Sequence, residues 1–162
     1  MEDYLFRLGQ PNDYPQIKLL AESIWAHDYL IEGFLEILND PKSHFLVVES
    51  SDHEILGYIN ALIYTFNNKR VGYLETLRVK TEVRKQGIGS LLTKESLQYL
   101  ESKHIRQIGY VTGLQNKRSI QIALKNGFIQ IIRIPATLLD CTQIVRLPLY
   151  ERKFPRPQNY IQ

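Results

Sequence analysis

The sequence predicts a single α/β domain of the α+β type, in which a mixed, mostly antiparallel sheet of about seven strands is flanked by about four helices. The chain has 162 residues, which is close to the roughly 150 residues of one ordinary domain. Hydrophobic residues make up 44% and charged residues 23%, the balance of a chain that buries a core. Strand-like segments come first as hairpins and then alternate with helical segments, which indicates an antiparallel meander followed by β-α-β steps.

The first half of the chain predicts a strand, two helices and a hairpin. The turn at 9–13 precedes a helix in which Ile17, Leu20 and Ile24 keep helical spacing, and Pro15 is tolerated in its first turn. Apolar, β-branched runs then predict the two strands of the hairpin. The predicted elements are the strand Tyr4–Leu8, the helices Asp13–Ala26 and Leu30–Leu38, and the strands His44–Ser50 and Ile55–Phe66.

The second half predicts one strand with regular alternation and then a series of β-α steps. The alternation places Val71, Tyr73, Glu75, Leu77 and Val79 on one face of its strand. The predicted elements are the strands Val71–Val79, Arg106–Thr112, Phe128–Ile134 and Thr142–Leu149, and the helices Gly87–Lys103 and Asn116–Asn126. We predict that the domain covers 1–149 and that 150–162, with two prolines, form an extended tail.

Composition and charge exclude several classes of function. Lys and Arg total 20 and Asp and Glu total 17, so the net charge is +3. This charge suits an anionic ligand but lacks the dense basic stripe of a nucleic-acid-binding protein. Cys141 is the single cysteine, which excludes an internal disulfide and a cysteine-based zinc site; we interpret it as a small buried hydrophobe. The four histidines show no His-x-x-x-His spacing, and we therefore expect no metal.

No segment of the chain resembles a signal peptide or a membrane span. The first four residues contain no basic region. The most apolar window, at 55–66, is interrupted by Gly57 and Asn60 and is too short to cross a bilayer. We therefore expect a soluble, cytoplasmic protein without a membrane partner, and the sequence leaves a homodimer open.

The segment from Val79 to Leu92 carries the most chemical information. A strand ends, a short loop follows, and a helix begins at Gly87 and Gly89. Glycines at such a junction let several backbone N–H groups point at one place beside a helix N-terminus, which favours a phosphate. The Gly-x-Gly-x-x-Gly fingerprint of dinucleotide-binding proteins does not fit, because its third glycine would be position 92, which is Leu. The Gly-Lys-Ser/Thr sequence of a P-loop is also absent. The alternative is an ordinary glycine turn with solvated basic residues.

Two motifs extend this interpretation: Arg84-x-x-Gly87-x-Gly89 after Leu77-x-Val79, and Asn116-x-x-Ser119 followed by Gly127-Phe128. Together with the order of elements from Phe6 to about Leu149, they resemble the coenzyme A signature of the GNAT superfamily of N-acetyltransferases. The resemblance implies acetyl-CoA as a co-substrate. It also implies a sheet in which the strand of Val79 splays from the next strand to receive the pantetheine arm.

The resemblance further implies which residues contact the coenzyme. The backbone amides of 86–90 would hold the pyrophosphate, the backbone of 77–79 would pair with the pantetheine arm, and the Val79 N–H would polarise the thioester carbonyl. Asn116 would bond the pantetheine end, and Ser119 would lie near the pyrophosphate or the adenine. The expected coenzyme contacts are Leu77, Arg78, Val79, Arg84, Lys85, Gln86, Gly87, Ile88, Gly89, Ser90, Asn116 and Ser119.

Glu75 is the candidate catalytic base. An alkylamine has a pKa of roughly 10.4, so a base must take its proton near neutral pH. The alternation places Glu75 on the face of Leu77 and Val79, and its strand is similar to that of diamine acetyltransferases of the superfamily, which carries a Glu there. The alternative is a structural carboxylate fixed by a neighbouring Lys or Arg.

One position departs from the pattern of the superfamily. Many members carry a Tyr seven residues after the Asn, as the proposed acid for the thiolate, and this chain has Ala123 there. Water could protonate a thiolate whose pKa is near 8.5, and Tyr110 is the nearest other phenol in sequence. The departure weakens the catalytic interpretation but leaves the coenzyme interpretation intact.

The connection between the first two helices is where the superfamily builds its acceptor pocket. The expected acceptor contacts are Trp25, His27, Asp28, Tyr29 and Phe34. A cluster of aromatic and acidic groups suits an amine, although aromatic residues that close the core explain Trp25 and Phe34 equally well.

The sequence thus predicts an acetyl-CoA-dependent N-acetyltransferase that acts by direct attack on a primary amine of a small molecule, such as an amino acid or a polyamine. A protein N-terminus or lysine is the alternative acceptor. A non-catalytic acyl-CoA-binding module is the alternative of another class.

Overall fold

In the computed structural model, residues 4–25, 28–66, 68–113, 115–132 and 149–153 are described. These residues form one mixed sheet with helices on both faces, which confirms the predicted fold class. The strands are β1 (Leu5–Leu8), β2 (Ser43–Glu49), β3 (Ile55–Phe66), β4 (Lys69–Val79), β5 (Gln107–Val111), β6 (Phe128–Ile132) and β7 (Leu149–Lys153). The helices are α1 (Tyr14–Glu22), α2 (Tyr29–Asn39), α3 (Ile88–Ser102) and α4 (Lys117–Lys125), with short 3₁₀ turns at Pro11–Asp13 and Thr81–Val83.

The strands follow the order β1-β2-β3-β4-β5-β7-β6 across the sheet. β4 and β5 run parallel, and the other neighbouring pairs are antiparallel. Helix α3 supplies the crossover that a parallel pair requires. The sheet therefore changes from an antiparallel meander to a β-α-β step between β4 and β5.

Each face of the sheet has its own apolar core. Along β2, Phe45 and Val47 pack with α1 and α2, whereas Leu46 and Val48 pack with α3. This alternation explains why β2 reads as a continuous apolar run, because both of its faces are covered. We call the two sides the α1–α2 face and the α3–α4 face.

The last described strand lies further along the chain than the sequence predicts. We predicted a strand at Thr142–Leu149 and a tail from 150, but β7 covers Leu149–Lys153 and is inserted between β5 and β6. Hydrogen bonding to both neighbours outweighs the low β propensity of Glu, Arg and Lys. The rest of the predicted strand and the tail beyond 153 lie outside the described residues.

Helix α1 is shorter and β4 is longer than predicted. The predicted helix Asp13–Ala26 is observed as Tyr14–Glu22, and β4 begins at Lys69 rather than Val71. Tertiary pairing explains β4, since Lys69 and Arg70 complete the hairpin ladder with β3. These differences do not alter the order of the elements.

A β-bulge interrupts β4 at its centre. Tyr58 of β3 pairs with Arg78 and Asn60 pairs with Glu75, so the one residue between them in β3 opposes two residues of β4. The extra residue is Thr76, whose φ of 54° is rare for a β-branched residue. A bulge shifts the alternation of side chains by one position.

The bulge contradicts the predicted placement of Glu75 on the face of Leu77 and Val79. Leu77 and Val79 pack with the core of the α3–α4 face. Glu75 lies beside Asn60 on the α1–α2 face. The prediction assumed an uninterrupted strand and was therefore wrong.

A buried charge cluster anchors β1 to the α1–α2 face. Arg7 bonds Asp13 at 2.8 Å and Glu49 at 2.6 Å, and these acidic residues are 7% and 4% exposed. Burial raises the pKa of Asp13, but hydrogen bonds from Arg7 and the Gln10 backbone outweigh it and hold the pKa below its usual range. Hydrogen bonds from His53 and Arg7 likewise lower the pKa of Glu49.

Replacing Arg7 is expected to destabilise the fold in a pH-dependent way. Arg7→Met removes the guanidinium that pairs with the buried carboxylates of Asp13 and Glu49, which costs about 3–5 kcal/mol at pH 7. Carboxylates with lowered pKa values stabilise the wild type at neutral pH, and this contribution is lost as the pH falls through those values. Urea unfolding should therefore show a smaller difference between variant and wild type at pH 4 than at pH 7.

Lys18→Met provides the matched control, because the Lys18–Glu22 pair is exposed on both sides. Its free energy of unfolding should stay within about 0.5 kcal/mol of the wild type. A loss for Arg7→Met that is equal at both pH values would contradict the electrostatic explanation.

Candidate functional site

An open cavity lies where β4 and β5 separate. Their pairing joins Gly72–Leu74 to Ile108–Tyr110, and beyond it the cavity occupies about 710 Å³. The end of β4, the loop that follows it and the two helices α3 and α4 form its walls. The lining residues are Ile24, Trp25, Leu77, Arg78, Val79, Val83, Arg84, Lys85, Gly87, Ile88, Gly89, Ser90, Asn116, Arg118, Ser119, Gln121, Ile122 and Lys125.

The loop before α3 exposes the start of that helix to the cavity. Lys85 and Gly87 have φ values of 70° and 90°, and Gly87 is the N-cap of α3 without a side-chain cap. Arg84 holds the loop against β4 because its Nε donates to the Val79 carbonyl at 3.1 Å. The N–H groups of the first turn of α3 are therefore available to a ligand that accepts hydrogen bonds.

Gly89 allows α3 and α4 to approach each other behind this loop. A Cβ atom at position 89 would lie 3.0 Å from Cδ1 of Ile122, which is tighter than ordinary van der Waals contact. It would also lie 3.6 Å from Cγ2 of Val79. The glycine thus fixes the distance between the helix start, the strand end and α4.

The cavity has a strongly positive wall. Arg78, Arg84, Lys85, Arg118 and Lys125 are cationic, and none of the described lining residues is acidic. One of these charges is already compensated, since Asp28 pairs with Arg78 at 2.9 Å. The other four cations and the start of α3 create a field that favours a polyanion.

Helix α4 contributes the opposite wall. Asn116 is its N-cap, and the Asn116 side-chain oxygen accepts from the Ser119 backbone N–H at 3.2 Å. The Ser119 hydroxyl forms a hydrogen bond with the Tyr110 hydroxyl. Ala123 is buried in the core between the sheet and the helices. The Tyr110 hydroxyl of β5 is therefore already engaged in a hydrogen bond with Ser119 at this wall.

Glu75 is half-buried on the other side of β4. Its Oε1 accepts from the Asn60 side-chain amide at 3.2 Å, and Asn60 in turn accepts from Ser43 at 2.7 Å. Burial raises the pKa of Glu75, and the hydrogen bond from Asn60 offsets part of that rise. Among the described residues, no Lys, Arg or His forms an ion pair with Glu75. The expected alternative, a carboxylate fixed by a neighbouring cation, is thus not what the described residues show.

Arg78 links the two sides of β4. It lines the cavity, and its guanidinium bonds Asp28 and lies 6.0 Å from the centre of the Trp25 ring. Asp28 also accepts from the Leu30 N–H at 3.1 Å and so caps α2. This arrangement fixes the start of α2 to the residue that follows the bulge of β4 by two positions.

The expected acceptor contacts are only partly brought together. Trp25 lines the cavity, and Asp28 is buried against Arg78. The charge of Glu75 raises the pKa of the Tyr29 phenol, second to burial. Phe34 is 1% exposed and packs between Tyr14 and Phe45, so its assignment to an acceptor surface is wrong. His27 lies outside the described residues.

The expected coenzyme contacts coincide closely with the cavity. Of the twelve residues, eleven line it; the exception is Gln86, whose side chain accepts from the Tyr4 hydroxyl at 2.9 Å. Sequence reasoning missed the cavity-facing residues of α4, which are Arg118, Gln121, Ile122 and Lys125. Their spacing of three, four and seven residues marks one face of a helix and could have been found by that signal.

The described residues contain neither a helix that could span a membrane nor a cluster of metal-ligating side chains. None of their helices combines the length and apolar character that a bilayer span needs. They also contain no group of three or more His, Cys, Asp or Glu residues that could hold a metal ion. The expected absence of a metal stays a prediction, and Cys141 lies outside the described residues.

Comparison with solved structures shows the same fold in several acetyltransferases. NAA60 of Arabidopsis thaliana in complex with acetyl-CoA matches with a TM-score of 0.80 and 18% identity over 93% of this chain and 98% of that one. The NatC complex bound to Gag peptide and CoA matches with a TM-score of 0.78 and 17% identity, over 96% of this chain and 100% of that one. A GNAT-family acetyltransferase of Staphylococcus aureus MU50 matches with a TM-score of 0.74 and 16% identity, over 93% of this chain and 99% of that one. No curated protein matches this chain in sequence.

The family is shown by the sequence itself. The model of the Acetyltransferase (GNAT) family matches residues 12–128, which extend from the turn before α1 to the start of β6. This range includes both walls of the cavity and the bulged strand between them. The chain belongs to the GNAT family of acetyltransferases.

Proposed function

We propose that the protein transfers the acetyl group of acetyl-CoA to a primary amine of a small molecule. One observation carries this proposal: a single strand, β4, separates a cationic cavity from a half-buried carboxylate. A polyanionic acyl donor fits the first side, and an amine that must lose a proton fits the second. The two reactants would meet at the bulge, where β4 is unpaired from β5.

The cavity would bind the coenzyme through its backbone and its cations. The N–H groups at the start of α3 and the neighbouring cations, Arg84 and Lys85, would hold the pyrophosphate. The edge of β4 from Leu77 to Val79 would pair with the pantetheine arm, and the Val79 N–H would stabilise the developing oxyanion. Asn116 and Ser119 would close the opposite side.

The reaction would proceed by direct attack of the amine on the thioester. The new N–C bond forms as the C–S bond breaks, Glu75 takes the amine proton directly or through a water, and the thiolate leaves. Water is the simplest proton donor for the thiolate, since Ala123 carries no acid and Tyr110 is bonded to Ser119. Acetyl-CoA supplies the activated acyl group.

Ala123 also favours a second candidate, an acyl-CoA-binding module without catalysis. A panel of small amines, amino acids and peptides with acetyl-CoA, read by release of free thiol, tests both. Turnover of a small amine supports the proposal, and faster turnover of peptides favours a protein acceptor. Tight binding of acetyl-CoA without turnover of any amine would favour the module.

Gly87→Val is expected to weaken coenzyme A binding about 10- to 100-fold. Valine disfavours the φ of 90° at this N-cap, and its side chain would enter the open space beside the start of α3. The loss corresponds to one or more charge-assisted hydrogen bonds from backbone N–H groups. Titration calorimetry with coenzyme A measures the affinity.

Gly33→Val is the matched control, since a Cβ at this position in α2 also meets open space. Its affinity for coenzyme A should equal that of the wild type. Circular dichroism establishes that both variants fold. Unchanged affinity in a folded Gly87→Val protein would rule out the loop as the pyrophosphate site.

Glu75→Gln is expected to lower kcat/KM by roughly 10²–10⁴-fold at neutral pH. The amide keeps the shape of the side chain but cannot take a proton. In the wild type the rate should fall as the pH drops through the raised pKa of Glu75, and this dependence should vanish in the variant. The deficit should shrink at high pH, where the amine arrives neutral. Steady-state kinetics across pH measure these effects.

The same substitution should not destabilise the protein. Folding raises the pKa of this carboxyl group, so the folded protein becomes less stable as the pH rises and the group ionises. Removing the charge therefore preserves or increases the free energy of unfolding at pH 7. Glu36→Gln, at an exposed position of α2, serves as the control for activity. A near-full rate at pH 7 with Glu75→Gln would make the carboxylate structural.

A further inference from the structure

Three tyrosines surround Glu75 on the α1–α2 face of the sheet. Tyr64 and Tyr73 come from β3 and β4, and Tyr29 comes from the first turn of α2. We call Tyr29, Tyr64, Tyr73 and Glu75 the tyrosine face. The sequence analysis predicted Tyr29 as an acceptor contact but did not predict Tyr64 or Tyr73.

The register of the hairpin places these side chains together. The cross-strand pairs are Asn60 with Glu75, Leu62 with Tyr73, and Tyr64 with Val71. Tyr64 and Tyr73 are therefore diagonal neighbours on one face, roughly 7–8 Å apart at the backbone. Tyr73 and Glu75 are two residues apart on the same strand, before the bulge, and so point to the same side.

The tyrosine face remains open to a ligand. Tyr29 and Tyr64 are 59% and 41% exposed. The Tyr73 ring extends over β5, where a Cβ at position 109 would lie 3.3 Å from its Cδ2, so Gly109 leaves the room that the ring occupies. The rings thus form the accessible surroundings of a half-buried carboxylate.

The electrostatics of the tyrosine face match a cation. The carboxylate of Glu75 receives a hydrogen bond from the neutral amide of Asn60 and has no cationic partner among the described residues. Burial and the charge of Glu75 raise the pKa values of Tyr29, Tyr64 and Tyr73, so the rings stay neutral and electron-rich. Neutral aromatic faces and a carboxylate stabilise an ammonium ion together.

The same surroundings disfavour an acceptor that carries a carboxylate. Arg78 is the cation next to Glu75 along β4, and its guanidinium is already bonded to Asp28 at 2.9 and 3.0 Å. Among the described residues, a ligand carboxylate would have to break this buried pair or lie beside Glu75 without a cationic partner. Either arrangement costs binding energy.

We propose that the tyrosine face is the acceptor subsite and that it selects an aliphatic ammonium ion with no carboxylate next to the amine. This inference rests on the proposed function, which supplies the acyl donor. The bound ammonium would lie beside Glu75, to which it would give up a proton before attack through the bulge.

Three small probes of equal chain length test the charge selection. Pentylamine is cationic at pH 7, 1-pentanol is its neutral counterpart, and norleucine is pentylamine with a carboxylate beside the amine. Each is titrated into the protein alone and into the protein saturated with coenzyme A, with binding followed by NMR chemical shifts. Pentylamine should bind at least about tenfold more tightly than either of the others.

Variants of the face locate the binding. Tyr73→Leu and Tyr64→Leu should each weaken pentylamine about two- to fivefold, as expected for the loss of one cation–π contact, and Glu75→Gln about tenfold or more. Tyr99→Leu is the matched control, because Tyr99 packs on the α3–α4 face. Titration with coenzyme A, measured on the same proteins, should give the wild-type affinity throughout.

Equal affinity for the three probes, preference for norleucine or no binding of pentylamine would overturn this inference. So would pentylamine affinity that is unchanged in all three variants of the face. If coenzyme A binds while pentylamine does not, the acceptor subsite is wrong and the donor site stands. If pentylamine binds selectively and coenzyme A does not, the proposed transfer reaction fails instead.

Discussion

The bulge at Thr76 is the constraint on which the rest of the site depends. One extra residue in β4 turns Leu77 and Val79 toward α3 while Glu75 and Arg78 face α2. The strand thereby has different chemistry on its two sides, apolar and backbone groups toward the cavity and charged groups toward the helix connection. A β-branched residue with positive φ is costly, and its buried hydroxyl has no partner among the described residues. The surrounding sheet therefore holds the bulge in place.

The Asp28–Arg78 pair makes this arrangement rigid. Asp28 caps α2 and bonds the residue that follows the bulge by two positions, so the helix start and the strand are fixed to each other. Removing either partner would leave the other as an unpaired buried charge. The destabilisation would exceed the net free energy by which the intact pair stabilises the fold. The charge cluster around Arg7 plays the same part at β1, where it fixes the turn before α1.

Local patterns in the sequence predicted the fold and the cavity well, since the glycines at 87 and 89 and the cap at Asn116 specify backbone geometry directly. The position of Glu75 was not predictable in this way. A bulge depends on pairing with another strand, and nothing in the alternation from Val71 to Val79 marks the extra residue. The assignment of Phe34 as an acceptor contact and the predicted bounds of the last strand failed for the same reason, because tertiary neighbours determine both.

The uneven distribution of charge has a consequence for the kinetics of association. Among the described residues, Arg84, Lys85, Arg118 and Lys125 line the cavity on one side of β4 without an acidic partner, and Glu75 lies on the other side without a cationic partner. This distribution gives the sheet an electric dipole across its thickness. An anion and a cation diffusing toward the protein are steered to opposite sides, and each is repelled from the place of the other. Encounters with both should slow as the ionic strength rises, because the Debye length shrinks to about 10 Å at 0.1 M salt. An anionic and a cationic ligand can therefore reach one short stretch of backbone without competing for the same entrance.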